Sequence, residues 1–315
     1  MKAVRFHEYG DPSVLRYEDV EQPAPGAGEV RVRVAATSFN AVDGGIRGGY
    51  LQGPFPVTLP HTPGIDVSGT VDALGAGVEN VAVGDAVVGF LPMTAPGASA
   101  EYVLAPAEIL AAAPTSIPLT DAAALPMVAL TARQALFDDG GLQQGQRVLI
   151  NGAGGAVGGY AVQLAKQAGA HVIAIAGPRS ADRARAAGAD EIIDHTNNAV
   201  TDAVAEPVDV LLNLARIAAE ELVALAALVR DGGVVVNTVP TIETPADEER
   251  GVRAVGVFVR SDAEQLSRLV ALVDDGQLRV EVAERVPLAE LADVHARAEA
   301  GEVSGKVVVV VNDNN

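Results

Sequence analysis

The sequence predicts an α/β fold in which a barrel-like antiparallel domain is joined to a doubly wound, parallel sheet of six strands. Three observations support this prediction. Short strands of period two, separated by glycine and proline, fill the first 118 residues. Beyond that point, apolar strands alternate with alanine-rich helices as far as about residue 260. A glycine-rich turn at 151–158 lies between a strand and a helix of this second region.

The first region contains several candidate strands. Residues 29–34 alternate between polar and apolar side chains, as expected of a half-buried strand. Several short strands at this spacing are typical of a barrel-like antiparallel domain. The other candidates are Val67–Val71, Asp85–Phe90 and Glu101–Leu104.

The second region has the pattern of a parallel sheet covered on both faces, because its strands are continuously apolar and bounded by helices. Six such strands complete a doubly wound sheet. They are expected at 147–150, 171–175, 191–193, 208–212, 233–236 and 253–257, with helices at 156–168 and 181–187. After residue 260 we expect a helix over 262–274, a strand over 278–282, another helix, and a last strand over 306–311.

Composition excludes several classes of protein. A hydrophobic fraction of 49% indicates a globular chain. A net charge of −19 argues against nucleic-acid partners, because such a field repels phosphate backbones. The absence of cysteine excludes disulfides, catalytic thiols and zinc sites built on thiolates. No apolar run is long enough for a membrane span, and the strand-like start lacks the apolar block of a signal peptide, so we expect a cytoplasmic protein.

The glycine turn predicts a dinucleotide site. Gly152, Gly155 and Gly158 let the chain tighten, and the following helix directs unpaired backbone N–H groups at a pyrophosphate. The turn departs from the strict G-x-G-x-x-G pattern, because its last glycine comes one residue late. A tight turn without a ligand is the alternative, but the position between a strand and a helix favours the cofactor.

The end of the second strand of this region favours NADPH over NADH. NADH-dependent proteins place a carboxylate there for the ribose 2′-hydroxyl. Here the chain continues through Gly177 to Arg179 and Ser180 without one. Arg179 can pair with a 2′-phosphate and Ser180 can donate a hydrogen bond to it, with Arg183 one turn further along. The alternative for Arg179 is an ordinary surface arginine.

Taken with this architecture, a set of short motifs resembles the medium-chain dehydrogenase/reductase superfamily, and within it the zinc-independent quinone oxidoreductases related to zeta-crystallin. The resemblance covers nearly the whole chain. Besides the glycine turn, the matching segments are Met1–Val4, Ser38–Asp43, Pro63–Gly69, Val83–Val87, Ala100–Val103, Leu130–Ala132 and Gly305–Val308.

The resemblance implies a GroES-like catalytic domain, split into residues 1–118 and 261–315, around a Rossmann domain over 119–260 that binds NADPH. It also implies a cleft for the nicotinamide and a homodimer. Zinc-dependent relatives carry cysteine at the place of Asn40 and a His-Glu pair at Ile65-Asp66. Because Asn40 and Ile65 cannot replace a thiolate and an imidazole, we expect no metal.

By the same resemblance, Asn40 and Asp43 lie near the nicotinamide. Asn40 would anchor cofactor or substrate through an amide able to donate and accept. Asp43 is interpreted as an organiser, or equally as the cap of a helical turn that begins at Gly44. Tyr50 is a candidate proton donor, with surface packing or a water molecule as the alternatives.

Further cofactor contacts are carried over residue by residue. Ala156 and Val157 would offer backbone amides to the pyrophosphate. His195, which could equally be an ordinary loop residue, would lie near the adenosine. Lys306 would reach the cofactor from the start of the last strand. The positions expected near the nicotinamide are Thr131, Asn237, Thr238, Val239, Phe258 and Val259.

The function expected from these residues is NADPH-dependent reduction of a quinone or another conjugated carbonyl compound, a small-molecule substrate. Reduction of an enone or enoyl compound of lipid or secondary metabolism is one alternative. A non-catalytic NADPH-binding protein, similar to the lens crystallins of this family, is another. Nucleic-acid and membrane partners are not expected.

Overall fold

The alternating first region forms seven strands in the computed structural model, which describes residues 1–197 and 199–312. Strand β3 is central: it pairs antiparallel with β4 along one edge, and with β6 along the other. Strands β1 and β2 form a separate antiparallel pair. The elements are β1 (Lys2–Phe6), β2 (Leu15–Asp19), β3 (Glu29–Ser38), α1 (Ala41–Arg47), β4 (Asp66–Leu74), β5 (Ala86–Phe90), β6 (Tyr102–Pro106) and β7 (Leu110–Ala112).

The second region forms one parallel sheet of six strands in the order β10-β9-β8-β11-β12-β13. This order is that of a doubly wound dinucleotide-binding sheet, so the predicted fold class is confirmed. The strands are β8 (Arg147–Asn151), β9 (His171–Ile175), β10 (Glu191–Ile193), β11 (Val208–Asn213), β12 (Val229–Asn237) and β13 (Arg253–Gly256). The helices are α2 (Pro126–Arg133), α3 (Ala156–Gln167), α4 (Ala181–Ala186), α5 (Val200–Ala203) and α6 (Ala219–Ala226).

The last segment returns to the first sheet. It consists of α7 (Ala263–Asp274), β14 (Glu284–Pro287), α8 (Leu291–Glu299) and β15 (Val307–Val310), and β15 pairs antiparallel with β3. The prediction of a strand over 278–282 is wrong, because the strand in this region is β14, which begins at Glu284. Val280 and Val282 alternate because they pack, half-buried, on the cluster formed by Ala36, Ala123, Ala124 and Val308.

Contacts divide the chain into two units: unit 1 comprises residues 1–127 and 261–315, and unit 2 comprises residues 128–260. Residues 119–127, which the sequence assigned to the second domain, fall in unit 1. Ala123 and Ala124 are fully buried against Ala36 of β3 and Val308 of β15, which accounts for this placement.

Each unit has an apolar core of its own. In unit 1 the inward valines of β3, β4 and β5 pack together, and in unit 2 apolar side chains of β8 to β12 pack against those of α6. No helix among the described residues is long and apolar enough to cross a membrane.

Candidate functional site

Unit 1 contains a buried cluster of polar side chains where β3 ends, α1 begins and β4 and β15 start. Its members are Ser38, Asn40, Asp43, Asp66 and Lys306, and none is more than 6% exposed. The loop between β3 and α1 supplies Asn40, and the start of β4 supplies Asp66. The antiparallel pairing of β15 with the end of β3 brings Lys306, which immediately precedes β15, to the same place.

Asp66 is the centre of this cluster and is completely buried. Its Oδ2 accepts hydrogen bonds from Ser38 Oγ at 2.5 Å and Asn40 Nδ2 at 2.8 Å, and lies 3.2 Å from Lys306 Nζ. Its Oδ1 accepts from the backbone N–H of Met127 at 2.7 Å. A buried carboxylate is tolerated when it is paired and hydrogen-bonded, and this one meets both conditions.

Asp43 organises the backbone of the loop around it. It is the third residue of α1, which begins at Ala41 and has Asn40 as its N-cap, so the prediction that Asp43 caps a helical turn beginning at Gly44 is wrong. Its Oδ2 accepts from the backbone N–H of Asn40 at 2.9 Å and its Oδ1 accepts from that of Gly64 at 3.1 Å. Burial raises the pKa of the Asp43 carboxyl to about 7, although the two backbone N–H groups oppose the shift.

Tyr50 lies apart from the cluster. Its side chain is 84% exposed and follows the C-terminal end of α1, where its backbone N–H bonds to Gly45. The structure thus brings together Asn40, Asp43 and Lys306 of the residues predicted in unit 1, and leaves Tyr50 at the surface.

The donor set of this cluster does not fit zinc. The positions of the metal ligands in zinc-dependent relatives are occupied by Asn40, Ile65 and Asp66, and Ile65 has no donor atom. The ammonium group of Lys306 already bonds to Asn40 and Asp66. Within residues 1–197 and 199–312, no three His, Asp or Glu side chains are grouped so that they could hold a metal ion.

A small pocket beside Asp43 is lined by His61, Ile46, Ile65 and Met93. The His61 ring is 3% exposed and packs edge-on against Phe6 at 5.4 Å between centroids. Among the described residues its Nδ1 has no hydrogen-bond partner. Burial lowers the pKa of the His61 imidazole to about 4, so the ring is neutral at pH 7.

This burial predicts a pH-dependent stability that His61→Phe should remove. As pH falls below 6.5 the unfolded chain binds a proton at His61, but the folded chain does so only near pH 4. The stability contributed by the neutral ring is therefore complete above pH 6.5 and is lost between pH 6.5 and 4. From the pKa change we expect the free energy of unfolding of the wild type to fall by about 3 kcal/mol relative to that of the variant over this pH range.

The measurement is the free energy of unfolding of both proteins in denaturant at several pH values. The wild type is compared with the variant because Asp43, with its raised pKa, changes the wild-type curve in the opposite direction. Phenylalanine keeps the ring contact with Phe6 and removes the titration. If the difference in free energy of unfolding between wild type and variant were constant from pH 7 to pH 4, His61 would not be a buried neutral ring in the folded protein.

In unit 2, the glycine turn connects β8 to α3 and packs tightly against the first turn of that helix. A Cβ atom on Gly158 would lie 2.5 Å from the carbonyl oxygen of Ala153, and would also overlap the carbonyl of Gly152. The first turn of α3 therefore packs directly on the backbone of the turn. Gly155 is the N-cap of α3 and has no side chain that could accept hydrogen bonds from the first N–H groups of the helix. These N–H groups, which include those of Ala156 and Val157, are therefore left for a ligand.

Of the residues expected at the 2′-phosphate, Ser180 and Arg183 contact this turn. Ser180 precedes α4 and packs against Gly154, while its Oγ donates to the Gly177 carbonyl at 3.2 Å. Arg179 is exposed. Arg183 donates to the carbonyl of Gly154 at 2.7 Å, so it connects α4 to the glycine turn.

His195 follows β10 and lies close to Gly177. Its Nε2 is 3.2 Å from the place that a Cβ on Gly177 would take. Glycine at 177 therefore leaves room for this imidazole. The predicted adenosine-side residues Gly177 and His195 are thus neighbours.

Three asparagines form a side-chain ladder across the carboxyl ends of β8, β11 and β12. Asn151, Asn213 and Asn237 are the last residues of these strands and lie in register. Asn151 Nδ2 donates to Asn213 Oδ1, and Asn213 Nδ2 donates to Asn237 Oδ1, each at 2.9 Å. The ladder connects the three loops at the edge of the sheet where such folds bind their ligands.

The remaining predicted residues also lie in unit 2. Thr238 and Val239 follow β12, and both are bonded to the ladder, Thr238 through the Asn213 carbonyl and Val239 through Asn237 Oδ1. After β13, Phe258 is 64% exposed and Val259 is 8% exposed. Thr131 is buried in α2.

Four of these polar residues were not singled out in the sequence: Ser38, Asp66, Asn151 and Asn213. A signal was present for Asp66, which is a carboxylate inside the apolar run Ile65–Val67 and must have buried partners there. Asn151, Asn213 and Asn237 share a signal too, since each is a single amide at the end of an apolar strand.

Comparison with known proteins agrees with this geometry. A profile described as alcohol dehydrogenase GroES-like domain matches residues 26–115, and one described as zinc-binding dehydrogenase matches residues 187–309. The chloroplast envelope quinone oxidoreductase homolog of Arabidopsis thaliana is 31% identical, with 98% of each chain covered.

Solved structures give the same result. The quinone oxidoreductase of Coxiella burnetii superimposes with a TM-score of 0.90 at 31% identity, covering 99% of both chains. A mycobacterial protein solved in complex with NADPH has a TM-score of 0.85 at 29% identity, covering 99% of this chain and 100% of the other. The chain therefore belongs to the quinone oxidoreductases of the medium-chain dehydrogenase/reductase superfamily, and is an NAD(P)H-dependent oxidoreductase.

Proposed function

We propose that this protein transfers hydride from NADPH to a quinone or another conjugated carbonyl compound without zinc. The observation that carries the proposal is the bonding of Asn40 and Asp66 to Lys306, at positions where zinc-dependent relatives bind their metal. Without a metal to polarise it, the carbonyl must be reactive by itself. A conjugated acceptor meets this requirement because the charge brought by hydride spreads onto its oxygen.

The residues of unit 2 fit a nicotinamide dinucleotide. The glycine turn leaves the helix N–H groups for the pyrophosphate, and Arg179 and Ser180 would bind the 2′-phosphate. When bound, NADPH supplies the hydride. Thr131 and the residues after β12 and β13 would place the nicotinamide, since ligands gather at the carboxyl ends of such strands.

The residues of unit 1 would orient the acceptor. Asp43 holds the loop of Asn40 through two backbone hydrogen bonds, which supports the role of an organiser. We propose that water protonates the product oxygen, with Tyr50, exposed at the surface, as the other candidate donor. A homodimer, a cytoplasmic location, and the domain limits at 118 and 260 stay predictions.

The first experiment is anaerobic oxidation of NADPH and NADH by the purified protein with EDTA present. The acceptors are 1,4-benzoquinone, 9,10-phenanthrenequinone, a simple enone and an enoyl thioester. We expect EDTA-insensitive turnover of a quinone with NADPH. Preference for the thioester would favour an enoyl reductase, and tight NADPH binding without turnover would favour a non-catalytic role.

Arg179→Ala should weaken NADPH binding and leave NADH binding unchanged. Loss of a charge-assisted contact to a phosphate costs on the order of 1.5–3 kcal/mol, or roughly 10- to 150-fold in the dissociation constant. Titration of cofactor fluorescence measures both constants. Arg185→Ala is the matched control, because Arg185 lies on α4 and its side chain is 64% exposed in an ion pair with Asp182. An equal loss for both cofactors would exclude Arg179 as the residue that recognises the 2′-phosphate.

A further inference from the structure

Lys306 has a buried ammonium group whose hydrogen-bonding capacity is fully used inside unit 1. Its side chain is 2% exposed. Nζ lies 2.5 Å from Asn40 Oδ1, 3.2 Å from Asp66 Oδ2 and 3.3 Å from the carbonyl oxygen of Phe39. An ammonium group has three N–H donors, and here three acceptors surround it. In this arrangement Lys306 has no N–H donor left for the cofactor contact that the sequence predicts for it.

The charges of Lys306 and Asp66 fix which way the Asn40 amide faces. An ammonium group can only donate, so Asn40 must direct its carbonyl oxygen at Lys306. The amide nitrogen then faces two acceptors, Asp66 Oδ2 at 2.8 Å and the Ser38 carbonyl at 3.4 Å. Rotating the amide by half a turn would set N–H against ammonium and oxygen against carboxylate. The ion pair therefore permits one orientation.

This orientation limits what Asn40 can do for a ligand. Both of its amide hydrogens face acceptors within the cluster, and its oxygen has accepted one of the two hydrogen bonds it can take. Asn40 can therefore accept a further hydrogen bond, whereas it has no free N–H to polarise a carbonyl.

We propose that Lys306 and Asp66 are positioning residues that hold the Asn40 amide as a hydrogen-bond acceptor for an N–H or O–H group of the cofactor. The inference rests on the proposed function, in which Asn40 meets the bound cofactor. The ammonium of Lys306 takes the place of a metal ion as the cation of the site, but all its N–H donors are used within the cluster that orients Asn40. The acceptor must then be reactive without carbonyl polarisation, as a quinone is.

The test separates positioning from stability. In Lys306→Met and Asp66→Asn one charge of the buried pair is left without its partner, so both variants should lose thermal stability. The double variant removes both charges and should regain much of that stability. If the pair positions Asn40, the double variant should still have a kcat lower than the wild type by on the order of 10- to 100-fold, the effect of a small misplacement. Recovery of kcat together with the melting temperature would overturn the proposal.

A second comparison asks whether Lys306 acts through Asn40. In an Asn40→Ala background, Lys306→Met should cause no further fall in kcat, because the group that it positions is gone. A fall as large as in the wild-type background would show that Lys306 acts independently, and would also overturn the proposal. Lys166→Met is the matched control, since Lys166 forms an ion pair with Asp190 at 2.8 Å in unit 2.

The ligand of Asn40 is identified by the constant that changes. In Asn40→Ala we expect a higher dissociation constant for NADPH and an unchanged KM for the quinone. A higher KM for the quinone alone would overturn the proposal, because a quinone has no N–H or O–H group to donate to Asn40. A readout without turnover keeps this test distinct from that of the proposed function. In protein labelled with ¹⁵N-asparagine, the Asn40 side-chain protons should exchange slowly with water, and faster in the double variant. Unchanged exchange would overturn the inference, whereas absence of turnover in the wild type would overturn only the proposed function.

Discussion

Replacing Gly158 by alanine is expected to weaken NADPH binding by on the order of 100-fold or more, because it moves the backbone that we propose as the pyrophosphate site. The new methyl group would lie 2.5 Å from the Ala153 carbonyl oxygen and 2.6 Å from its carbon. These atoms belong to the turn itself, so no flexible side chain can give way. Either the turn must leave α3 or the helix must tilt, and both changes displace the N–H groups at the start of α3.

The same substitution should reduce stability. Forcing a methyl group into a well-packed contact costs about 1–3 kcal/mol, occasionally more. Binding is therefore measured by titration below the melting temperature of the variant, and folding is checked by circular dichroism. If the variant bound NADPH as tightly as the wild type, the glycine turn would not be the pyrophosphate site.

Gly159→Ala is the matched control for this experiment. The two glycines are consecutive in α3, but a Cβ atom on Gly159 meets nothing within 4 Å. Alanine is favoured over glycine inside a helix by about 0.5–1 kcal/mol, so this variant should be slightly more stable and should bind NADPH normally. The pair separates the effect of the close approach from that of helix propensity.

The parts of the fold that sequence predicts best are those fixed by local pattern. The glycine turn lies between β8 and α3 as expected, because apolar strands and alanine-rich helices differ in period over short windows. The strand expected over 278–282 shows the limit of this approach. Val280 and Val282 alternate as in a strand, but alternation indicates only that one side packs. Whether a ladder forms depends on a neighbouring strand that the local sequence does not reveal.

The candidate site is harder to predict because its residues meet through topology. Motif resemblance indicated Asn40, Asp43 and Lys306 one at a time. The hydrogen bond between Asn40 and Lys306 joins residues 266 positions apart, and it forms because β15 pairs with the end of β3. The role expected for Arg183 beside Arg179 stays a prediction. Its bond to the Gly154 carbonyl could not be predicted from local sequence, because it depends on how α4 approaches the turn.

Replacing Asn213 by leucine is expected to destabilise unit 2 by about 1–3 kcal/mol, which is the cost of leaving a buried polar group without its partner. Asn213 is completely buried in the middle of the ladder. Its loss removes the acceptor of Asn151 Nδ2, whereas Asn237 Oδ1 still accepts from the backbone N–H of Val239. Denaturant unfolding measures the change.

Asn197→Ala is the control in the same unit, since Asn197 is exposed and its side chain donates to Asp194 Oδ2 at the surface. Its effect should lie within about 0.5 kcal/mol. A loss below about 1 kcal/mol for Asn213→Leu would mean that the ladder contributes little more than an apolar contact of the same size.

Asn213→Asp distinguishes hydrogen bonding from packing, because aspartate has nearly the size of asparagine. One oxygen of the new carboxylate can still accept from Asn151 Nδ2, but the other faces the acceptor Oδ1 of Asn237. Protonation would turn that oxygen into a donor and restore the ladder, so the folded state should raise the pKa of the new group. Its destabilising effect relative to the wild type should therefore diminish as pH falls from 7 to 5, whereas that of Asn213→Leu should not. If both variants respond to pH in the same way, the ladder is held by shape and not by the donor of Asn213.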